Sequence, residues 1–252
     1  MKLTFLGTAD AGKVPLFGCN CAACSLAIAH EGYRRAPCCA QLDVAGHSLL
    51  LDAGLPNLDM HCRAHPPTAI FLTHYHMDHV AGLFSIRWGT GKKIPVYGPN
   101  DPHGCDDLFK NPGLIDFHPI INPFTPQTLC GMTITTVPLQ HSKPTQGYCF
   151  THPQGKLAYL TDTVGLPDES MKFLKQFAPD YIILDCTHSP EHTHPKSHNN
   201  LTMALEIIEQ LSPKQSWLTH ISHQMDNYLL THKPQLPANV SIARDNMMIA
   251  LS

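Results

Sequence analysis

Positive charge is scarce in this chain. Its 252 residues carry 17 Lys and Arg against 20 Asp and Glu, a net charge of −3, and no basic stripe. Sequence-independent nucleic-acid binding needs a cationic surface that displaces counterions, so nucleic acid is not an expected partner. A small anionic substrate stays open, because a bound metal outweighs surface charge locally. No apolar run is long enough to span a bilayer, so no membrane partner is expected either. The opening residues MKLTFLGTADAG lack the charged, apolar and small-residue succession of a secretory signal. No Ser/Gly-rich or charged linker divides the sequence and no internal repeat is visible, which predicts one domain over residues 1–252.

Histidine is what the chain has in excess: 18, more than Lys and Arg combined. Neutral imidazole is the commonest protein metal ligand and the usual acid–base group near neutral pH. Of ten cysteines, three crowd into Cys19–Cys24 and two are neighbours, Cys38 and Cys39. Such crowding suits a metal site better than a framework of bridges, and it predicts reduced thiols in a cytoplasmic protein.

Apolar and β-branched segments predict strands at Lys2–Leu6, Leu42–Val44, Ser48–Leu51, Ala69–Thr73, Pro95–Tyr97, Met132–Val137, Gly147–Phe150, Lys156–Leu160, Tyr181–Leu184, Ser216–Leu218 and Val240–Ile242. Helices are predicted over Glu169–Gln176 and Thr202–Gln210. Many short strands with interspersed helices argue for one α/β domain with large sheets. The chemistry follows the strands: Asp52, His74, His141, Asp162, Asp185 and His220 all come at the end of an apolar run. Loops converging on one rim of a rigid scaffold would produce that pattern.

The most specific feature is His74-Tyr75-His76-Met77-Asp78-His79, which sets three imidazoles and a carboxylate in six residues. Leaving a strand, alternate side chains can face one side, so His74 and His76 can share one metal while Asp78 and His79 reach a second. A merely histidine-rich polar loop is the bland alternative, and the ordered Asp-His ending speaks against it. His141, Asp162 and His220 are each weak alone, since a lone histidine after a strand is often a hydrogen-bonded loop residue and Asp162 could be a turn aspartate. Together they complete a set of mixed nitrogen and oxygen donors that suits Zn, Mn or Fe rather than Ca or Mg. Separately, Cys19, Cys21 and Cys24 need only one further donor to close a tetrahedral Zn site over about residues 18–25, and His223 is the candidate. Reduced loop thiols or a redox pair are the alternative.

At this point the sequence resembles the metallo-β-lactamase superfamily. The resemblance implies a four-layered αβ/βα sandwich, α/β (α+β) in class, with two divalent metals, Mn or Zn, at one edge. It implies that His74, His76 and His141 hold the first metal, Asp78, His79 and His220 the second, and that Asp162 bridges them. Asp52 would orient the loop from behind the ligands.

Within the superfamily the chain is similar to the phosphoribosyl cyclic phosphodiesterases of bacterial carbon–phosphorus lyase (phosphonate catabolism) pathways. That resemblance rests on Gly18-Cys19-x-Cys21-x-x-Cys24, Tyr33-Arg34-Arg35, Arg87-Trp88-Gly89, Pro95-Val96-Tyr97-Gly98-Pro99, Gly104–Lys110, His141-Ser142-Lys143 and Leu218–Gln224. It implies hydrolysis of 5-phosphoribosyl 1,2-cyclic phosphate to ribose 1,5-bisphosphate, with hydroxide between the metals attacking phosphorus in line. It also implies a structural Zn on the cysteines and a distant histidine. By the same resemblance His198, just before the Leu201 helix, is the candidate general acid for the leaving ribose oxygen. His192 and His194 look similar to it. Lys143, Arg34 and Arg35 are candidates for the 5-phosphate, or plain surface charges. The chain departs from the family in its first loop, where Asp10 adds a carboxylate. Rival readings are a tRNA- or cyclic-nucleotide-directed phosphodiesterase, a glyoxalase-type thioester hydrolase and a non-enzymatic metal-binding protein. The sequence leaves a homodimer open.

Overall fold

Alternating burial builds the first strand, β1 (Lys2–Gly7), whose Leu3 and Phe5 are buried while their neighbours lean outward. It pairs antiparallel with β2 (Cys39–Val44), which turns back as β3 (His47–Leu51). The turn is only Ala45 and Gly46, at φ 50° and 79°. Two left-handed residues are what a tight hairpin between right-twisted strands requires, and Gly46 adopts that conformation without a Cβ penalty. Parallel strands β4 (Ala69–Phe71), β5 (Ile94–Tyr97) and β6 (Ile115–Phe117) extend the sheet. The second sheet repeats the plan. Strands β7 (Gln127–Leu129), β8 (Met132–Pro138), β9 (Gln146–His152) and β10 (Gly155–Leu160) run antiparallel. Then β11 (Tyr181–Asp185), β12 (Gln215–Thr219) and β13 (Val240–Ile242) add in parallel. The last strand, β14 (Met248–Ala250), returns to the free edge of β1. Among the described residues, 1–118 and 122–251 of this computed structural model, there are two seven-stranded sheets.

The helices are α1 (Ala22–Ala29), α2 (Leu58–Ala64), α3 (Met77–Val80), α4 (Leu83–Ile86), α5 (Asp106–Lys110), α6 (Asp168–Phe177), α7 (Leu201–Leu211) and α8 (His223–His232). Most of the buried apolar residues fall into three clusters. One lies between the sheets and takes Leu3, Leu42 and Phe71 from the first, and Ile134, Phe150, Tyr159 and Trp217 from the second. A second packs α6, α7 and α8 on the outer face of the second sheet, and a third packs α2, α4 and α5 on the outer face of the first. The result is the four-layered αβ/βα sandwich that was expected.

The two predicted helices form one residue longer at each end, as α6 and α7. The other six, α1 to α5 and α8, are not among the predicted helices. In α1, AACSLAIA is apolar nearly all round and carries no helical period, while α8 is too polar for a clear apolar stripe. The predicted strand Ala69–Thr73 stops at Phe71, and its last residues run free into the loop that carries His74. Directly beneath that loop passes Gly54, where a Cβ would lie 1.7 Å from the Asp78 carbonyl oxygen. Only glycine lets the two backbones approach so closely.

Candidate metal centre

Chain direction sets the site. Asp52, His74, Asp162, Asp185 and His220 all stand at or just beyond the carboxyl ends of parallel-running strands: β3, β4, β10, β11 and β12. In open α/β sheets that edge is where ligands bind. Here the corresponding edges of both sheets meet. His76 stands at the N-terminal boundary of the short helix α3, which carries Asp78 and His79 toward His220 and Asp162 of the other sheet.

Four donor groups result among the described residues, each with its ligand atoms within 4.8 Å of one another: His74, His76 and His141; Asp78, His79, Asp162 and His220; Asp162, Asp185, His198 and His220, which overlaps the second; and Cys19, Cys21, Cys24 and His223. In the first, His74 Nε2 and His141 Nε2 lie 2.8 and 3.1 Å from His76 Nδ1. Asp162 Oδ2 lies between the first two groups, 3.2 Å from His79 Nε2, 3.3 Å from His220 Nε2, 3.7 Å from His74 Nε2 and 3.9 Å from His141 Nε2. Asp78 Oδ2 is 3.6 Å from His79 and 3.4 Å from His220. All seven side chains of the sequence reading therefore converge, with Asp162 Oδ2 within 4 Å of histidine nitrogens of both groups.

The electrostatics fit divalent metals, which the fold implies. His79 Nε2 and Asp162 Oδ1 are buried without a hydrogen-bond partner, a costly arrangement unless something else satisfies them. Burial pushes the pKa of His74, His76 and His141 down and holds them as neutral imidazoles, the form that ligates metal. Burial acts likewise on His79 and His220, but the Asp162 carboxylate outweighs it and raises both, His220 to about 9. This centre gathers more carboxylate than its neutral imidazoles balance.

Behind the donors run two parallel relays; the sequence reading puts Asp52 behind the ligands but misses Thr73, Thr187 and the partners of Asp185. Asp52 Oδ2 is 2.9 Å from His79 Nδ1, and its Oδ1 accepts from the Thr73 amide at 2.8 Å and hydroxyl at 3.0 Å. Thr73 Oγ1 is in turn 3.0 Å from His74 Nδ1. Because that hydroxyl donates to a carboxylate, His74 donates to the hydroxyl; both histidines then carry hydrogen on Nδ1 and present Nε2 to the centre. In the second sheet, Asp185 Oδ1 accepts from the Thr187 hydroxyl at 2.9 Å, and Thr187 Oγ1 lies 2.8 Å from His220 Nδ1. Asp185 Oδ2 is 2.8 Å from His198 Nδ1. His141 is fixed by a main-chain acceptor, with its Nδ1 2.9 Å from the Ser197 carbonyl oxygen.

His198 is thus the one histidine of its loop that joins the site. His192 stacks on His188 instead, with ring centroids 4.3 Å apart. Burial opposes charge on His198, but Asp185 outweighs it and the pKa is raised. Asp10 sits beside the same rim, where Ala9 bridges Ile221 and the Gly12 amide donates to Asp10 Oδ1 at 3.0 Å.

The cysteine loop folds onto the start of α8. His223 Nδ1 lies 3.5 Å from Cys19 Sγ and 3.7 Å from Cys21 Sγ, and Cys24 completes the group from α1. The Cys21 amide donates to Cys19 Sγ at 3.5 Å and holds its pKa below the usual thiol range, whereas burial pushes Cys24 up to about 12 although the Leu16 amide donates to its Sγ at 3.3 Å. All ten cysteines are free.

The phosphate candidates separate. Arg35 is not available to a substrate, contrary to expectation. It is 1% exposed, forks onto Asp226 at 2.6 and 3.0 Å, and donates from its remaining nitrogen to Thr8 Oγ1 and the Ala243 carbonyl. A buried guanidinium needs that many acceptors, so Arg35 is an internal clamp between the first loop, α8 and the C-terminal segment. Arg34 is half-exposed and bonds Glu31 and the Ala27 carbonyl. Lys143 Nζ stands 3.5 Å from Asp101 at the rim.

A metal-binding donor set built on the edge of an αβ/βα sandwich defines a metallo-β-lactamase-fold hydrolase. Residues 47–221 match the family model of the beta-lactamase superfamily domain, and the chain belongs to that family. It stands close to PhnP: the crystal structure of a diphosphatase from the PhnP family superposes with a TM-score of 0.82 and 29% identity, covering 98% of this chain and 96% of that one. Zn-bound PqqB from Methylobacterium extorquens superposes at 0.78 over the full length of both chains with 19% identity, a likeness of fold. Among curated proteins, an octanoyltransferase of Porphyromonas gingivalis is 26% identical over 98% of this chain. The chain spans about half of that relative, 51% of its length. Similarity to hydroxyacylglutathione hydrolase of Xylella fastidiosa, 43% identity, covers 22% of the chain. No helix among the described residues is long and apolar enough to cross a membrane.

Proposed function

We propose that this chain is a binuclear phosphodiesterase that opens a cyclic phosphate ester, converting 5-phosphoribosyl 1,2-cyclic phosphate to ribose 1,5-bisphosphate. His74, His76 and His141 would hold one cation, Asp78, His79 and His220 the other, with Asp162 shared; Mn or Zn suits these donors. When bound, such cations supply Lewis acidity, neutralising phosphoryl oxygens and lowering the pKa of water.

The observation that carries the reading is the Asp185–His198 pair. An alkoxide leaving group needs a proton, and His198, which lies within ligand reach of Asp162 and His220, stands outside the two donor sets assigned here to the cations. Asp185 takes its Nδ1 hydrogen, so Nε2 is the atom that delivers the proton. The raised pKa keeps more of the imidazole protonated near neutral pH, as a general acid requires. Lys143 is the residue retained for the substrate's 5-phosphate, and Arg34 is a weaker candidate already engaged by Glu31. Zn on Cys19, Cys21, Cys24 and His223 would be structural, since a closed four-donor set keeps no open position. The reading takes a cytoplasmic enzyme on a small phosphorylated sugar, with no nucleic-acid or membrane partner.

The test is kinetic. The metal-replete protein should show a higher kcat/KM on 5-phosphoribosyl 1,2-cyclic phosphate than on a 2′,3′-cyclic nucleotide, and should also turn over bis(p-nitrophenyl) phosphate. Preference for the nucleotide would reassign the substrate. Thioester hydrolysis without phosphodiester hydrolysis would discard the class.

A further inference from the structure

Tyr159 belongs to the second sheet, on β10, yet its hydroxyl reaches the relay of the first. The side chain is fully buried between the sheets. A buried phenol has to place its hydrogen. Tyr159 Oη lies 3.4 Å from Asp52 Oδ2 and 3.3 Å from Cys38 Sγ. An ionised carboxylate only accepts, and the hydroxyl owns one hydrogen. Burial pushes the Cys38 thiol up to about 12, so it keeps its hydrogen and can donate. The arrangement that satisfies all three groups runs from Cys38 through the Tyr159 hydroxyl to Asp52.

These contacts close a circuit. Asp52 holds His79 at 2.9 Å through Nδ1, and His79 Nε2 lies 3.2 Å from Asp162. Asp162 follows Tyr159 by three residues, just past the end of β10. The strand that delivers the bridging carboxylate is therefore bonded back to the carboxylate that aims His79. We propose that Tyr159, backed by Cys38, is a positioning residue for the metal centre that sets the His79–Asp162 spacing across the two sheets. It touches neither substrate nor a ligand nitrogen and acts through Asp52. Its loss leaves Asp52 Oδ2 with fewer donors in a buried place, so the carboxylate and His79 gain freedom that metal binding has to remove again.

Tyr159→Phe deletes the hydroxyl and keeps the ring. Zn binding is measured by competition with a chromophoric chelator, and the cysteine site serves as an internal control. Partners behind ligands typically contribute ~10–100-fold in metal affinity, so roughly a tenfold loss is expected, confined to the His/Asp centre. Cys38→Ala should lose less, and should add little in the Tyr159→Phe background, because both act through one contact. Unchanged Zn affinity in Tyr159→Phe would overturn the proposal. Equal losses at both metal sites would also overturn it, since they report general loosening. If the Phe variant fails to fold, Cys38→Ala alone decides by the same comparison. The readout is binding, so it stands or falls separately from the substrate reading.

Discussion

Asp185 and His198 are joined at 2.8 Å, carboxylate oxygen to Nδ1, while the other oxygen of Asp185 holds His220 through Thr187. One buried carboxylate thus aims a metal-donor histidine and the proposed acid together. Asp52 does the matching work in the first sheet, aiming His79 directly and His74 through Thr73. A displaced acid and a displaced ligand would have the same origin.

His198→Ala should lower kcat by ~10²–10⁴-fold on a substrate with an alkoxide leaving group. On a p-nitrophenyl ester, which needs little protonation, the loss should be much smaller, with metal content unchanged. Equal losses on both substrates would show that His198 binds or positions the substrate.

The pH profile gives a signed prediction. His198 acts in its protonated form, and its raised pKa extends that form upward in pH. Turnover of the alkoxide substrate should therefore persist through neutrality and fall on the alkaline side. Asp185→Asn removes the carboxylate that raises the pKa, so the alkaline limb should move to lower pH. A limb that stays in place in a metal-replete variant contradicts the assignment.

Cys21→Ser should lose about one Zn per chain, as expected for a four-donor structural site. Its thermal midpoint should drop, because zinc-binding free energy is folding free energy. Metal analysis and calorimetry read both. Unchanged Zn content would remove the cysteine site from the account.

Arg35→Ala should destabilise the fold by about 3–5 kcal/mol, the scale for stranding one partner of a buried pair, here Asp226. Substrate KM of the folded fraction should be little affected. A raised KM with normal stability would return Arg35 to the substrate.

How much was legible follows from where each signal resides. The run from His74 to His79 is contiguous and needs no fold to be read, and His141, Asp162 and His220 could be found because each ends an apolar segment. Thr73, Thr187 and Tyr159 could not be found so: their roles depend on which strands lie side by side and which sheet faces which. Asp185 showed its strand-end position but not its partners. Arg34 and Arg35 are adjacent and chemically alike, and only tertiary packing decides that one is on the surface and the other inside against an aspartate 191 residues away. Helix α1 hid because four alanines, Cys24, Leu26 and Ile28 left it without a polar face.

His76→Ala and Asp162→Ala should each abolish phosphodiester hydrolysis in a folded chain, because one removes a donor of the first group and the other the carboxylate that lies within 4 Å of both groups. Metal analysis should show depletion at the His/Asp centre with the cysteine site still filled. Near-normal turnover in either variant would end the binuclear reading.

The most direct measurement is phosphorus NMR of 5-phosphoribosyl 1,2-cyclic phosphate incubated with the metal-replete protein. The account predicts that the strained cyclic diester resonance disappears and two phosphomonoester resonances remain, those of ribose 1,5-bisphosphate, with catalytic amounts of protein sufficing. A cyclic resonance that persists, or a product phosphorylated at the 2-position, would contradict it.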